Sequence, residues 1–154
     1  MENGEKTKVF VYGTLKRGYG NYGRYLLARP GATFIAPATT VNKMEMHDLG
    51  AYPFVCKDGK PVAKLIGEVF EVDAEVFQDL DRLEGYPSFY DRMEIPVCLE
   101  DGTEITAWIY CIEIKKARRD RLCQTPVVKN GNWRDGVLEF PEMLEVDFQP
   151  KSFW

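Results

Sequence analysis

Apolar positions along the chain alternate or cluster in short runs separated by glycine, proline and Asx residues, a pattern that predicts many strands and few helices. Residues 1–7 are a polar lead, expected to be flexible. Lys8–Val11 reads as a short strand that stops at Tyr12-Gly13-Thr14-Leu15, after which come Lys16, Arg17 and Gly18. Tyr22–Ala28 predicts a short helix ended by Arg29-Pro30-Gly31, because proline cannot donate to a helix interior. Ala32–Met46 is rich in Thr, Val, Ile and Phe and reads as extended, with a break expected at Pro37. Lys57-Asp58-Gly59-Lys60 is a turn signal between Phe54-Val55-Cys56 and a strand over Lys64–Val72. Arg92–Leu99 and Glu104–Ile112 alternate on either side of Glu100-Asp101-Gly102-Thr103, which makes them the clearest hairpin in the chain. From about Lys115 the pattern is mixed, with a basic cluster (Lys115, Lys116, Arg118, Arg119, Arg121) that reads as the solvated side of a helix or loop.

One helix is strongly marked. Asp73 suits an N-cap, and Val76, Phe77, Leu80 and Leu83 follow at helical spacing. At about 100° per residue these four fall in one arc, and Glu84 falls inside it, between Leu80 and Phe77. Asp81 lies on the flank. Gly85-Tyr86-Pro87 stops the helix directly after Glu84. A carboxylate within an apolar stripe either turns outward, takes a structural partner such as Arg92, or stays buried with a raised pKa and serves as a general base. Tyr86, Phe89 and Tyr90 supply aromatic walls and hydroxyls nearby.

Composition narrows the field. With 154 residues, 45% of them hydrophobic and 13% aromatic, the chain can bury a substantial core in one domain. A net charge of −4 gives no footprint for nucleic acid. The start of the chain lacks an apolar signal-peptide core, and no apolar run reaches membrane-span length, so a cytoplasmic protein with no membrane partner is expected. Cys56, Cys98, Cys111 and Cys123 form no C-x-x-C pair and read as packed thiols. His47 is the one histidine, with no nucleophile beside it in sequence, and Met44, Met46 and His47 read as a strand rather than a ligand set. Neither a metal nor another cofactor is expected.

The glycine-bearing turn after the first strand carries the first chemical clue, because backbone N–H groups that point out of such a loop bind anionic oxygens. It lacks the G-x-x-x-x-G-K-[ST] order of a phosphate loop, and no G-x-G-x-x-G is present, which counts against a nucleotide-binding protein.

Taken together, Tyr12-Gly13-Thr14-Leu15-Lys16-Arg17-Gly18, then Leu80-Asp81-Arg82-Leu83-Glu84-Gly85-Tyr86, then Phe89-Tyr90-Asp91-Arg92 resemble the gamma-glutamylcyclotransferase-like family. The first heptad is most similar to the gamma-glutamylamine cyclotransferase branch, on account of Thr14 and the Lys16-Arg17-Gly18 extension. The resemblance runs from about Lys8 to Ile112, and residues 113–154 match nothing. It implies an α+β fold, a small mixed or antiparallel β-barrel with a few flanking helices, covering residues 8–154 as one domain. It further implies cofactor-independent cleavage of a gamma-glutamyl amide, in which the substrate's α-amino group attacks its own γ-carbonyl and releases 5-oxoproline and an amine. On this resemblance Glu84 is the expected base, and Tyr12, Gly13, Thr14 and Leu15 the substrate-binding turn. Tyr90 and Tyr110 are expected to bind Glu84 or to line the pocket. The expected partner is a small gamma-glutamyl molecule, and the protein is expected to be a monomer or a weak homodimer. The alternative is a catalytically silent module of the same fold that captures a small carboxylate.

Overall fold

The computed structural model describes residues 6–13, 29–50 and 52–133. Its strands are β1 (Thr7–Val11), β2 (Ala32–Met44), β3 (Met46–Asp48), β4 (Pro53–Lys57), β5 (Ala63–Val72), β6 (Asp91–Leu99) and β7 (Glu104–Glu113). The helices are α1 (Ala74–Glu84) and α2 (Ile114–Arg119), followed by a 3₁₀ turn over Leu122–Gln124. The helix expected over Tyr22–Ala28 lies outside the described residues.

The strands run in the order β1-β5-β2-β6-β7, and β1 closes the ring by a parallel pairing of Val9 with Trp108 on β7. The result is a five-stranded barrel of mixed direction, and the α+β barrel expectation holds. Closure gives the backbone donors and acceptors of both terminal strands a partner. The free end of β7 extends beyond β1 and takes β4 in parallel, Cys56 against Ile112 and Lys57 against Glu113, with β3 antiparallel outside β4.

Two apolar sets follow from strand alternation. Phe10, Tyr12, Val69, Val97, Ala107, Ile109 and Cys111 pack together on one side of the strands. Val9, Val11, Phe70, Val72, Tyr110 and Ile112 pack on the other, where Val76 and Leu80 of α1 and Ala117 of α2 cover them. Both faces of β1 are therefore buried, which is why Val9-Phe10-Val11-Tyr12 is continuously apolar where a half-buried strand would alternate.

Three local expectations need correction. The β2 strand passes through Pro37, which registers with Glu68, and the irregularities fall instead between Phe34 and Ala36 and between Thr39 and Lys43. Pro37 lies just outside the ladder to β6, which begins at Ala38, a margin where a missing N–H is tolerated. The extended stretch ends at Met44, and Glu45 separates β2 from β3. The turn at Lys57–Lys60 is present, with Gly59 N–H donating to the Cys56 carbonyl at 3.3 Å. The strands it joins do not pair, because β4 binds β3 and β7 while β5 binds β1 and β2. The hairpin of β6 and β7 is as expected, with Arg92 opposite Tyr110 and Cys98 opposite Glu104. The basic cluster near residue 115 lies largely on α2, where Lys116, Arg118 and Arg119 occupy the last turn and suit the helix dipole.

Candidate active site

The site grows out of α1. Asp73 caps it, its carboxylate accepting the Val76 N–H at 2.9 Å. Gly85 ends it with φ 70°, a left-handed conformation that glycine adopts at little cost, and Gly85 and Tyr86 N–H return to the Arg82 and Asp81 carbonyls. The residues of α1 that are fully buried are Val76, Leu80 and Glu84, spaced at i, i+4 and i+8. Glu84 is thus carried inward by the helical repeat and does not turn out at the helix end. It is 0% exposed, and neither carboxylate oxygen has a hydrogen-bond partner among the described residues.

Such a carboxylate is costly to ionise. Burial pushes its pKa well above the usual carboxylate range, and the negative charge of Asp81 adds to the rise. Its surroundings are phenolic. Burial first, and then the nearby charge of Glu84 among smaller contributions, raise the pKa values of Tyr12, Tyr52, Tyr90 and Tyr110.

These tyrosines are anchored by contacts with other groups. Tyr12 OH donates to the Tyr110 carbonyl at 2.8 Å, and Tyr90 OH donates to the Pro53 carbonyl at 3.1 Å. Tyr110 OH donates to Asp81 Oδ1 at 2.7 Å. Tyr90 and Tyr110 therefore lie near Glu84, while their hydroxyls bind Pro53 and Asp81. Gly13 is buried at the end of β1, whereas Thr14 and Leu15 lie outside the described residues.

Arg92 does not pair with Glu84. It pairs with Asp81, Nε lying 3.0 Å from Oδ1 and Nη2 donating to Oδ2 at 3.3 Å. Its guanidinium sits 4.4 Å from the Phe77 ring centre, 4.3 Å from Tyr86 and 4.7 Å from Trp108, a cage of aromatic faces that favours a cation. This cluster of Asp81, Arg92 and Tyr110 was not anticipated as a unit, although the hairpin register that sets Arg92 opposite Tyr110 follows from the turn at residues 100–103.

A second cluster also went unread. Glu45, His47 and Cys56 bring one potential ligand atom each to within 4.8 Å of one another. Separately, no helix among the described residues is long and apolar enough to cross a membrane.

The chain belongs to the gamma-glutamyl cyclotransferase, AIG2-like family, whose model matches residues 9–135. That match reaches past Ile112, where the motif resemblance ends. A Methanocaldococcus jannaschii protein, named provisionally as a gamma-glutamylcyclotransferase, is 37% identical over 66% of this chain and 81% of its own length. The gamma-glutamylaminecyclotransferase of Bos taurus is 36% identical over 64% of this chain and 60% of its own. Among solved structures, a Mus musculus AIG2-like protein aligns with a TM-score of 0.63 at 30% identity, covering 70% of this chain and 77% of that one. A gamma-glutamyl cyclotransferase structure with a TM-score of 0.56 at 21% identity, covering 92% of this chain and 88% of that one, has the same fold.

Proposed function

We infer that this protein is a cyclotransferase that acts on a gamma-glutamyl amine. The observation that carries the reading is Glu84, fully buried, with both oxygens unpartnered among the described residues and with tyrosines around it. A ligand that brings N–H donors would satisfy it, and the α-ammonium of a glutamyl group is such a ligand. With a reference pKa of about 7.7–8.0, that ammonium must lose a proton before its nitrogen can attack. An exposed glutamate is too weak a base for the task, whereas burial raises the basicity of Glu84 toward the working range.

In the proposed cycle, Glu84 takes the proton from the α-amino group, and the nitrogen attacks the γ-carbonyl to form a five-membered ring. The C–N bond to the amine breaks, and Glu84 returns the proton to that departing nitrogen. The products are 5-oxoproline and the free amine, and no protein nucleophile is consumed. Holding the chain bent supplies most of the rate, since well-oriented ring closures reach effective molarities of about 10⁵–10⁸ M. Backbone N–H groups of the Tyr12-Gly13-Thr14-Leu15 turn would hold the α-carboxylate or the developing oxyanion, with Tyr90 and Tyr110 as walls. The amine class of the leaving group is supported by the YGTL form of the turn and by relatives such as the Bos taurus protein.

The test is incubation of the folded protein with gamma-glutamyl-lysine isopeptide, glutathione and gamma-glutamyl dipeptides, with 5-oxoproline as the readout. Product from the isopeptide in preference to the other substrates is expected. Absence of 5-oxoproline from all of them would leave the carboxylate-binding module as the better reading, and a preference for glutathione would overturn the amine assignment alone.

A further inference from the structure

The cluster around His47 has a geometry that its sequence neighbourhood does not suggest. Glu45 and His47 stand two residues apart on an extended segment and so share a face. The β3–β4 register pairs Met46 with Val55, and Cys56 N–H donates to the Glu45 carbonyl at 2.9 Å, which sets Cys56 beside Glu45. His47 and Cys56 are each 1% exposed. The Glu45 side chain is 12% exposed.

Each donor is already aimed. His47 Nδ1 lies 2.9 Å from the Thr125 carbonyl, an acceptor only, so Nδ1 carries the hydrogen and Nε2 is left with a lone pair. That lone pair faces Glu45 Oε2 at 2.6 Å, another acceptor. Two acceptors at this distance hold a proton between them, and a zinc ion that replaced it would set the two atoms about 3.3 Å apart, the span of two ligands on a tetrahedral centre. The second carboxylate oxygen, Oε1, is fixed by the Lys60 N–H at 2.9 Å. Outer contacts of this kind orient metal ligands and set the histidine tautomer.

A thiol completes the set. Cys56 is a free, buried thiol. A Cβ on Gly59 would lie 2.7 Å from the Cys56 Cβ and 2.8 Å from Glu45 Oε1, so glycine is required where the Lys57–Lys60 turn closes over the cluster. A cavity of about 250 Å³ lined by Cys56, Asp58, Gly59 and Met44 opens beside it and offers an entry path.

We propose that Glu45, His47 and Cys56 bind a zinc ion. Nitrogen, carboxylate and thiolate donors in a largely buried set suit Zn²⁺ better than the hard cations Mg²⁺ or Ca²⁺. On binding, the Cys56 thiol and the His47–Glu45 pair each release a proton to solvent, and Zn²⁺ takes their place. The ion would tie β3 and β4 to the Glu45 link between β2 and β3. The site shares no ligand with the Glu84 cluster.

The full chain, purified under reducing conditions and stripped with chelator, should take up one Co²⁺ per molecule. Thiolate-to-cobalt charge-transfer bands and strong tetrahedral ligand-field bands are expected, and Zn²⁺ should displace both. Cys56→Ser should remove most of the charge-transfer band and weaken zinc binding by more than about 100-fold, the upper end of what outer-shell changes cause. Cys98→Ser should leave it unchanged. In the unaltered chain, zinc should protect Cys56, but not Cys98, from alkylation read by mass spectrometry, which keeps the test valid if a variant does not fold. No charge-transfer band, zinc bound equally by folded Cys56→Ser, or no protection of Cys56 would each overturn the proposal. The pair at His47 would then be bridged by a proton.

Discussion

Asp81 and Glu84 lie three residues apart near the end of one helix, yet their environments are opposite. Asp81 receives the Tyr110 hydroxyl and the Arg92 guanidinium, so its charge is fully answered. Glu84 is more deeply buried and has no hydrogen bond among the described residues. Proteins seldom leave a buried carboxylate so exposed to its own desolvation cost, since the group then neutralises itself or weakens the fold. On the proposed function, this strain at Glu84 is stability traded for chemistry. In this pair Asp81 holds structure together, and Glu84 is left available.

The largest test of that contrast is activity. Glu84→Gln should lower the rate of 5-oxoproline release by about 10²–10⁴-fold, the usual contribution of a general base. Asp81→Asn should retain far more activity, and because it removes a negative charge that raises the Glu84 pKa, the acidic limb of its pH–rate profile should move to lower pH. Equal losses in the two variants would erase the distinction.

Stability should respond in the reverse order. Arg92→Ala strands Asp81 and empties the aromatic cage, and a loss of about 3 kcal/mol is expected in urea unfolding, near the lower end for a broken buried pair because both side chains keep some exposure. Glu84→Gln should be stabilising above the ordinary carboxylate range. The pKa of Glu84 is raised on folding, so the folded state holds a proton that the unfolded chain has released, and stability falls as pH rises through that window. The gap between Glu84→Gln and the unaltered protein should therefore widen as pH rises above the ordinary carboxylate range, and a constant gap would mean that Glu84 is not desolvated. The smallest effect is expected at the other end of the helix, where Asp73→Ala removes only the N-cap, at a cost of about 1 kcal/mol.

Local repeats made the burial of Glu84 in the candidate site legible. The 76–80–84 spacing placed Glu84 in the buried stripe, and the turn at residues 100–103 fixed the β6–β7 register. The role of Asp81 was missed because the helical projection sets it only on the flank, and nothing in α1 itself shows that β6 and β7 bring Arg92 and Tyr110 to it. Glu45 was hidden inside what reads as one extended segment, and its neighbour Cys56 arrives only through pairing of β3 with β4. Barrel closure was legible through family resemblance and not through pattern, because a single parallel registration joins Val9 to Trp108 across most of the chain.

That closure has a consequence for the order of assembly. β1 precedes its partners by a wide margin, since β5 and β7 begin at Ala63 and Glu104. A strand buried on both faces must therefore wait for much of the chain before either edge is paired, and non-local pairings of this kind are slow to form. A nascent chain halted before β7 should bind a holdase chaperone through its N-terminal segment, and release should coincide with completion of the β6–β7 hairpin.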